Sequence, residues 1–301
     1  MQTPLLASFS VVLCALTGLG APSRGEPPAA PRPSAPAQPL AALEKRIGGR
    51  LGVVALDTGS GRRLEYRADE RFAMCSTFKL LLAAAVLKRV DAGRESLDRR
   101  IAYGATDLLE YAPVTRERVA DGGMSVAALC RASVEVSDNT AANLLLGTLG
   151  GPEGLTRFAR SLGDEATRLD RLEPMLNANE PGDPRDTTTP TAMAETVRKL
   201  LLGDTLSAAS RARLESWLVA SPTGARRLRA GFPADWRAGD KTGTGANGAT
   251  NDLAIAWPPG RAPIVVAAYL GESKAPLAER EAALAEVGRL VATDPRSWPQ
   301  P

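Results

Sequence analysis

Residues 78–90 read Phe-Lys-Leu-Leu-Leu-Ala-Ala-Ala-Val-Leu-Lys-Arg-Val, a helical run whose first ten positions are apolar almost all round. A helix that is apolar on every side cannot lie on a surface. The rest of the chain must therefore wrap around it. At its head stands Ser76-Thr77-Phe78-Lys79. Side chains at i and i+3 share one helix face, one turn apart, so Lys79 sits beside the Ser76 hydroxyl without help from the rest of the fold. The pairing matters because the chain contains no histidine. A serine nucleophile needs a base, and a Ser-His-Asp arrangement is not available here. Lysine at this spacing is the alternative the sequence offers.

With 301 residues and 44% hydrophobic content the chain is long enough for one large domain or two intimate ones. Its 37 basic and 34 acidic residues leave a net charge of +3, the basic residues are scattered, and only 4% of residues are aromatic. These features argue against a nucleic-acid partner. Residues 1–21 read as a secretory signal peptide: an apolar stretch from Pro4 ending in Gly18, Gly20 and Ala21, although Met1-Gln2-Thr3 carries no Lys or Arg. An uncleaved anchor is the alternative. Val11-Val12-Leu13 ahead of Cys14 lacks the small residue expected before a lipidated cysteine. No later segment approaches the ~20 apolar residues of a membrane span. An exported protein, periplasmic or secreted and without stable membrane insertion, is expected. Residues 22–39, with Pro27, Pro28, Pro31, Pro33, Pro36 and Pro39, form an extended linker that cannot pack a core. The folded part begins near Leu40, and a monomer is expected.

Ala41 to Ile47 is patterned as a helix, Leu51 to Asp57 as a buried strand, and Arg62 to Arg67 as its hairpin partner across Thr58-Gly59-Ser60-Gly61. The helix that starts at Ser76 follows. Further helices are expected over 126–134, 140–149, 152–162, 190–202 and 207–219. Arg168 to Thr189 lacks apolar periodicity and reads as a long irregular loop, a kind that is usually functional. Strands return at 236–242, 252–257 and 264–270, and a helix over 278–291 closes the chain. The order points to an α/β fold: an antiparallel sheet flanked by helices and built from both chain ends (40–72 and 220–301), with an all-helical domain (73–219) inserted between them.

Three short motifs carry chemistry together. Ser76-Thr77-Phe78-Lys79 is the chain's one Ser-x-x-Lys, and it is followed by Ser137-Asp138-Asn139 and Lys241-Thr242-Gly243. Individually these read as an ordinary helix pair, a helix N-cap and a strand end. In this order they match the motif set of penicillin-recognising serine enzymes. Glu173 and Asn177 place a carboxylate and an amide in the long loop, either as a solvated surface turn or as a general base with its water. Asp186 could pair with Arg171 and close the loop's neck.

On these motifs, and on Glu110-Tyr111-Ala112-Pro113-Val114-Thr115, the chain resembles a class A serine β-lactamase from about Leu40 to Val291. The resemblance implies hydrolysis of penicillins and cephalosporins, small-molecule β-lactam substrates, with no metal and no cofactor. By that likeness Ser76 is the nucleophile, Lys79 or Glu173 the acylation base, and Ser137 the proton relay to the leaving nitrogen. Backbone N–H groups of Ser76 and Thr244 form the oxyanion hole. Asn139 and Tyr111 contact the substrate. Lys241, Thr242 and Thr244, with Gly243 between them, line its carboxylate site, and Arg227 adds a second positive charge, as in a subset of the family. Glu173 and Asn177 hold the deacylating water.

Some carbapenem-hydrolysing relatives bridge the cysteine matching Cys75 to a residue that here is Gly245. Other relatives of the family bridge the position of Cys130 to one that here is Ala83. Two free thiols are therefore expected, with Cys75 a small buried hydrophobe. Two other functions use part of the same set: a D,D-peptidase, which lacks a water-activating acid in this place, and a β-lactam sensor, which needs a spanning transducer. Glu173 separates the first from a hydrolase that turns over.

Overall fold

The computed structural model describes residues 37–293 together with Met1 and Trp298. The expected signal peptide, apart from Met1, and the linker as far as residue 36 lie outside the described residues. The chain divides into two units, Met1–Arg32 and Pro33–Pro301, and the elements of the described residues belong to the second.

In chain order the elements are α1 (Gln38–Ile47), β1 (Arg50–Asp57), β2 (Arg63–Tyr66), β3 (Phe72–Ala73), α2 (Phe78–Asp91), β4 (Arg100–Ala102), β5 (Gly123–Ser125), α3 (Val126–Glu135), α4 (Asn139–Leu149), α5 (Pro152–Ser161), β6 (Thr187–Thr188), α6 (Pro190–Leu202), α7 (Ala208–Ala220), α8 (Leu228–Gly231), β7 (Arg237–Thr244), β8 (Thr250–Trp257), β9 (Ile264–Gly271) and α9 (Leu277–Val291). β2, β1, β9, β8 and β7 lie side by side in that order, each antiparallel to its neighbours. The sheet thus joins the two ends of the chain, and β3–β6 and β4–β5 are separate two-stranded pairs.

Both faces of the sheet are covered. Successive strand residues point to opposite faces. Val54, Val265, Ala267 and Tyr269 face one core with α2, α3, α4 and α6. Leu51, Val53, Ala55, Ile264, Val266, Ala268 and Leu270 face a second core with α1 and α9. This is why β1 and β9 read as nearly unbroken apolar runs. α2 is buried from Phe78 to Leu87 and packs on α3, α4, α5 and α7. Each fully buried leucine in it contributes about 1.5–3 kcal/mol through its removal from water.

Several boundaries differ from the sequence reading for local reasons. α1 starts earlier than Ala41 because Pro39 lies in its first turn, where a missing N–H costs nothing. α2 starts at Phe78, not Ser76. Cys75 holds a left-handed backbone (φ 46), and a single 3₁₀ turn over Cys75–Thr77, pinned by Thr77 N and Oγ1 on the Met74 carbonyl at 3.2 and 2.8 Å, precedes the α-helix. β7 begins at Arg237 rather than Trp236 and continues to Thr244. The pairs β3–β6 and β4–β5 and the four-residue α8 have too few residues to show a period.

The segment 168–189 is mostly irregular, with one 3₁₀ turn at Met175–Asn177. Its neck is closed. Arg171 Nε pairs with the buried Asp186 carboxylate, whose Oδ1 also accepts from Asp170 N and Arg171 N at 2.7 and 2.9 Å. Asp186 N returns a bond to Asp170 Oδ2 at 3.0 Å.

Candidate active site

Four elements converge on the head of α2. The 3₁₀ turn presents Ser76, and the first turn of α2 presents Lys79. The α3–α4 junction supplies Ser137 and Asn139, and Ser137 is in the left-handed region (φ 62). That strain is held by Asp138, fully buried, which caps α4 by accepting from Ala141 N at 2.9 Å. The same carboxylate accepts from Val114 N, Thr115 N and Thr115 Oγ1 at 2.9–3.0 Å, tying the Tyr111 segment to the junction. Backbone strain of this kind persists only where the surroundings over-determine it.

Lys79 Nζ lies at the centre. It is 3.0 Å from Ser76 Oγ, 2.8 and 3.3 Å from Ser137 O and Oγ, 2.6 Å from Asn139 Oδ1 and 2.9 Å from Glu173 Oε1. Glu173 Oε1 is in turn 3.4 Å from Ser76 Oγ. Both ionisable side chains are fully buried. Burial pushes the Lys79 amine below its ordinary range, opposed by the Glu173 carboxylate beside it.

Glu173 is fixed from two sides. Asn143, on α4, clamps its backbone: Oδ1 accepts from Glu173 N at 3.0 Å, and Nδ2 donates to Glu173 O at 2.9 Å. Asn177 Nδ2 donates to Glu173 Oε2 at 2.6 Å. Asn177 Oδ1 is buried and has no hydrogen-bond partner among the described residues. The Glu173–Pro174 peptide is cis.

Lys241, buried on β7, donates to Ser137 Oγ at 3.1 Å and to the Thr242 carbonyl at 2.9 Å. Its burial, with the Lys79 cation nearby, pushes its pKa down to about 7. Thr242 Oγ1 donates to Thr223 Oγ1 at 2.8 Å. Arg227 is not a surface arginine. It is 4% exposed, donates to the Gly243 and Asn251 carbonyls at 2.9 and 2.8 Å and to Thr244 Oγ1 at 2.8 Å, and is backed by Glu281 at 3.4 Å. Ser76, Tyr111, Ser137, Asn139, Asn177, Thr223, Arg227, Thr242, Gly243 and Thr244 line one open cleft of about 380 Å³. Tyr111 stands half exposed at its rim, and its carbonyl accepts from Asn139 N at 3.0 Å.

All twelve site residues named from the sequence thus fall in or directly behind one cleft. Asn143, Thr223, Asp138 and Glu281 were missed as site residues. Only Asn143 left a trace: it lies four residues after Asn139, so α4 carries two amides on the face turned to the site. Cys75 and Cys130 are free and buried, and burial pushes the Cys75 thiol up to about 12. A Cβ on Gly245 would lie 2.6 Å from Cys75 Sγ and 2.9 Å from the Asn177 carbonyl, so the strand can approach the loop this closely only without a side chain there.

A cleft-facing serine in a triangle with a buried lysine and a buried glutamate, beside a cationic, hydroxyl-lined cleft, defines a serine hydrolase without histidine. Residues 35–294 match the model of the β-lactamase enzyme family, and the chain belongs to the class A β-lactamases. β-Lactamase AST-1 of Nocardia asteroides is 54% identical over 259 residues, covering 86% of this chain and 83% of its own. β-Lactamase L2 of Stenotrophomonas maltophilia is 52% identical over 253 residues, with coverages of 84% and 83%. A solved ancestral (GNCA) class A β-lactamase is 67% identical with a TM-score of 0.84, over 85% of this chain and 98% of that one. Among the described residues no helix is long and apolar enough to cross a membrane.

Proposed function

We propose that the protein hydrolyses penicillins and cephalosporins through an ester on Ser76 that a Glu173-activated water clears, and that it thereby confers β-lactam resistance as an exported enzyme. The observation that carries the reading is the triangle of Ser76 Oγ, Lys79 Nζ and Glu173 Oε1, with edges of 3.0, 2.9 and 3.4 Å. A proton leaving Ser76 can pass to either neighbour without side-chain movement, as general-base catalysis requires. Ser76 Oγ attacks the β-lactam carbonyl, and the developing oxyanion is held by the N–H groups of Ser76 and Thr244. The ring C–N bond breaks as Ser137, which lies within reach of both Lys79 and Lys241, passes a proton to the nitrogen. Lys241, Thr242 and Thr244 bind the substrate carboxylate, with Arg227 lending charge through Thr244. In the second half-reaction a water held by Glu173 and the unpartnered Asn177 Oδ1 gives its proton to Glu173 and attacks the ester.

The test is catalytic turnover of a chromogenic cephalosporin by purified residues 40–301. Many cycles per enzyme are expected, unchanged by a chelator. One stoichiometric burst without turnover favours the peptidase or sensor reading instead.

Lys241 adds a pH dependence. With its pKa pushed down to about 7, the ammonium is present below that pH and lost above it, so the cleft's attraction for a carboxylate weakens as pH rises. The quantity kcat/KM reports groups of the free enzyme. Its alkaline limb is expected to fall near that value, and in Lys241→Arg, whose guanidinium stays charged, to move to higher pH. A limb that does not move in the variant assigns it to another group.

A further inference from the structure

Glu173 and Asn177 belong to a loop, yet the deacylation role proposed for them demands a fixed position. Past Asn177 the loop is strapped to the β7–β8 turn by a reciprocal amide clamp. Asn179 Nδ2 donates to the carbonyls of Ala246 and Asn247 at 3.0 and 3.4 Å. Asn247 Nδ2 donates back to the carbonyls of Ala178 and Asn179 at 3.2 and 3.0 Å. Between them Ala246 N donates to the Asn177 carbonyl at 2.9 Å, and the turn is anchored from behind by Glu272 N on the Asn247 carbonyl at 2.7 Å. Asn179 and Asn247 both hold left-handed backbones, φ 45 and 49, a conformation that asparagine tolerates better than most residues. One strand of this strap leads directly to Asn177 and its bond to Glu173, and the other to Gly245, packed on the Asn177 carbonyl, and to Thr244 in the cleft wall.

We infer that Asn179 and Asn247 are positioning residues for deacylation: their clamp sets the distance between the Glu173 loop and β7, and so holds the hydrolytic water's two anchors in register with Ser76. The inference rests on the acyl-enzyme reading above. The clamp touches neither Ser76 nor Lys79, so with Lys79 as the acylation base it leaves acylation alone.

Glycine accepts a positive φ freely, so Asn179→Gly and Asn247→Gly delete the amides without straining the backbone. Asn247→Asp keeps the size of the side chain but turns the donor toward two carbonyls into an acceptor. For an acyl-enzyme pathway, slowing only the second step lowers kcat and KM by one factor and leaves kcat/KM unchanged. That paired fall is expected for all three variants with a good penicillin substrate, by roughly ten- to a hundredfold, the scale on which a misplacement of about 1 Å acts. Intact-mass measurement should show acyl-enzyme at steady state. The double glycine variant should be little worse than either single one, because the two amides serve one strap. Active sites are counted by the acylation burst, so that partial unfolding does not enter the rates. Unchanged kcat, or kcat lowered at constant KM, overturns the inference. Glu173→Gln is run alongside: if it traps acyl-enzyme and the clamp variants do not, the clamp inference alone fails, and if it does not trap, the deacylation role of Glu173 fails and takes the clamp with it.

Discussion

Glu173→Gln is expected to acylate at near-normal speed and then stall, with kcat lower by about 10²–10⁴, the usual contribution of a positioned general base. That corresponds to about 3–5.5 kcal/mol on the deacylation barrier. Glutamine preserves the volume and the backbone clamp by Asn143, but it cannot take a proton from water. The readout is a persistent mass increase after adding penicillin, equal to the intact substrate, together with a burst of one equivalent. Normal turnover would remove Glu173 from the mechanism and leave Lys79 as the base for both half-reactions.

Lys79→Met is expected to lose both activity and stability. Acylation should slow by at least ~10², because the Ser76 hydroxyl loses its nearest basic neighbour. The stability effect comes from Glu173. Its carboxylate and the Lys79 ammonium are fully buried at 2.9 Å, and removing one partner strands the other's charge. Breaking a buried pair in this way costs about 3–5 kcal/mol, whereas removing both charges can be nearly neutral. The double variant Lys79→Met/Glu173→Gln should therefore recover much of the lost stability and none of the activity. Denaturant midpoints on the two single variants and the double give the coupling. A Lys79→Met protein as stable as its parent would mean that Glu173 is held by its other bonds and gains nothing from the ion pair.

Features with local causes were legible in the sequence. Ser76 and Lys79 are one helical turn apart whatever surrounds them, and α2 declares its burial by having no polar face. Lys241 and Ser137 could be named from short motifs, yet their 3.1 Å contact spans 104 positions and depends on how β7 lies against the α3–α4 junction. Glu173 stood out only as an acid in an aperiodic loop. What makes it useful is tertiary: the Asn143 clamp, the Arg171–Asp186 neck and the Asn177 amide. Arg227 shows the limit most plainly. Its role was named only through the family resemblance, and it is the packing of α8 and α9 against β7 and β8 that turns it inward onto Thr244 and Glu281. The β4–β5 pair was invisible because three residues per strand show no alternation.

The pairing of β1 with β9 has a consequence for the order of assembly. Residues 50–57 find their central neighbour only in residues 264–271, at the far end of the chain. A nascent polypeptide emerging N-terminus first can form the β1–β2 hairpin, but the middle strand position stays empty until residues 264–271 have emerged. Contacts of such long sequence separation also slow the search, toward milliseconds to seconds. The five-stranded sheet therefore cannot close until residues 264–271 reach the strand they separate from β8.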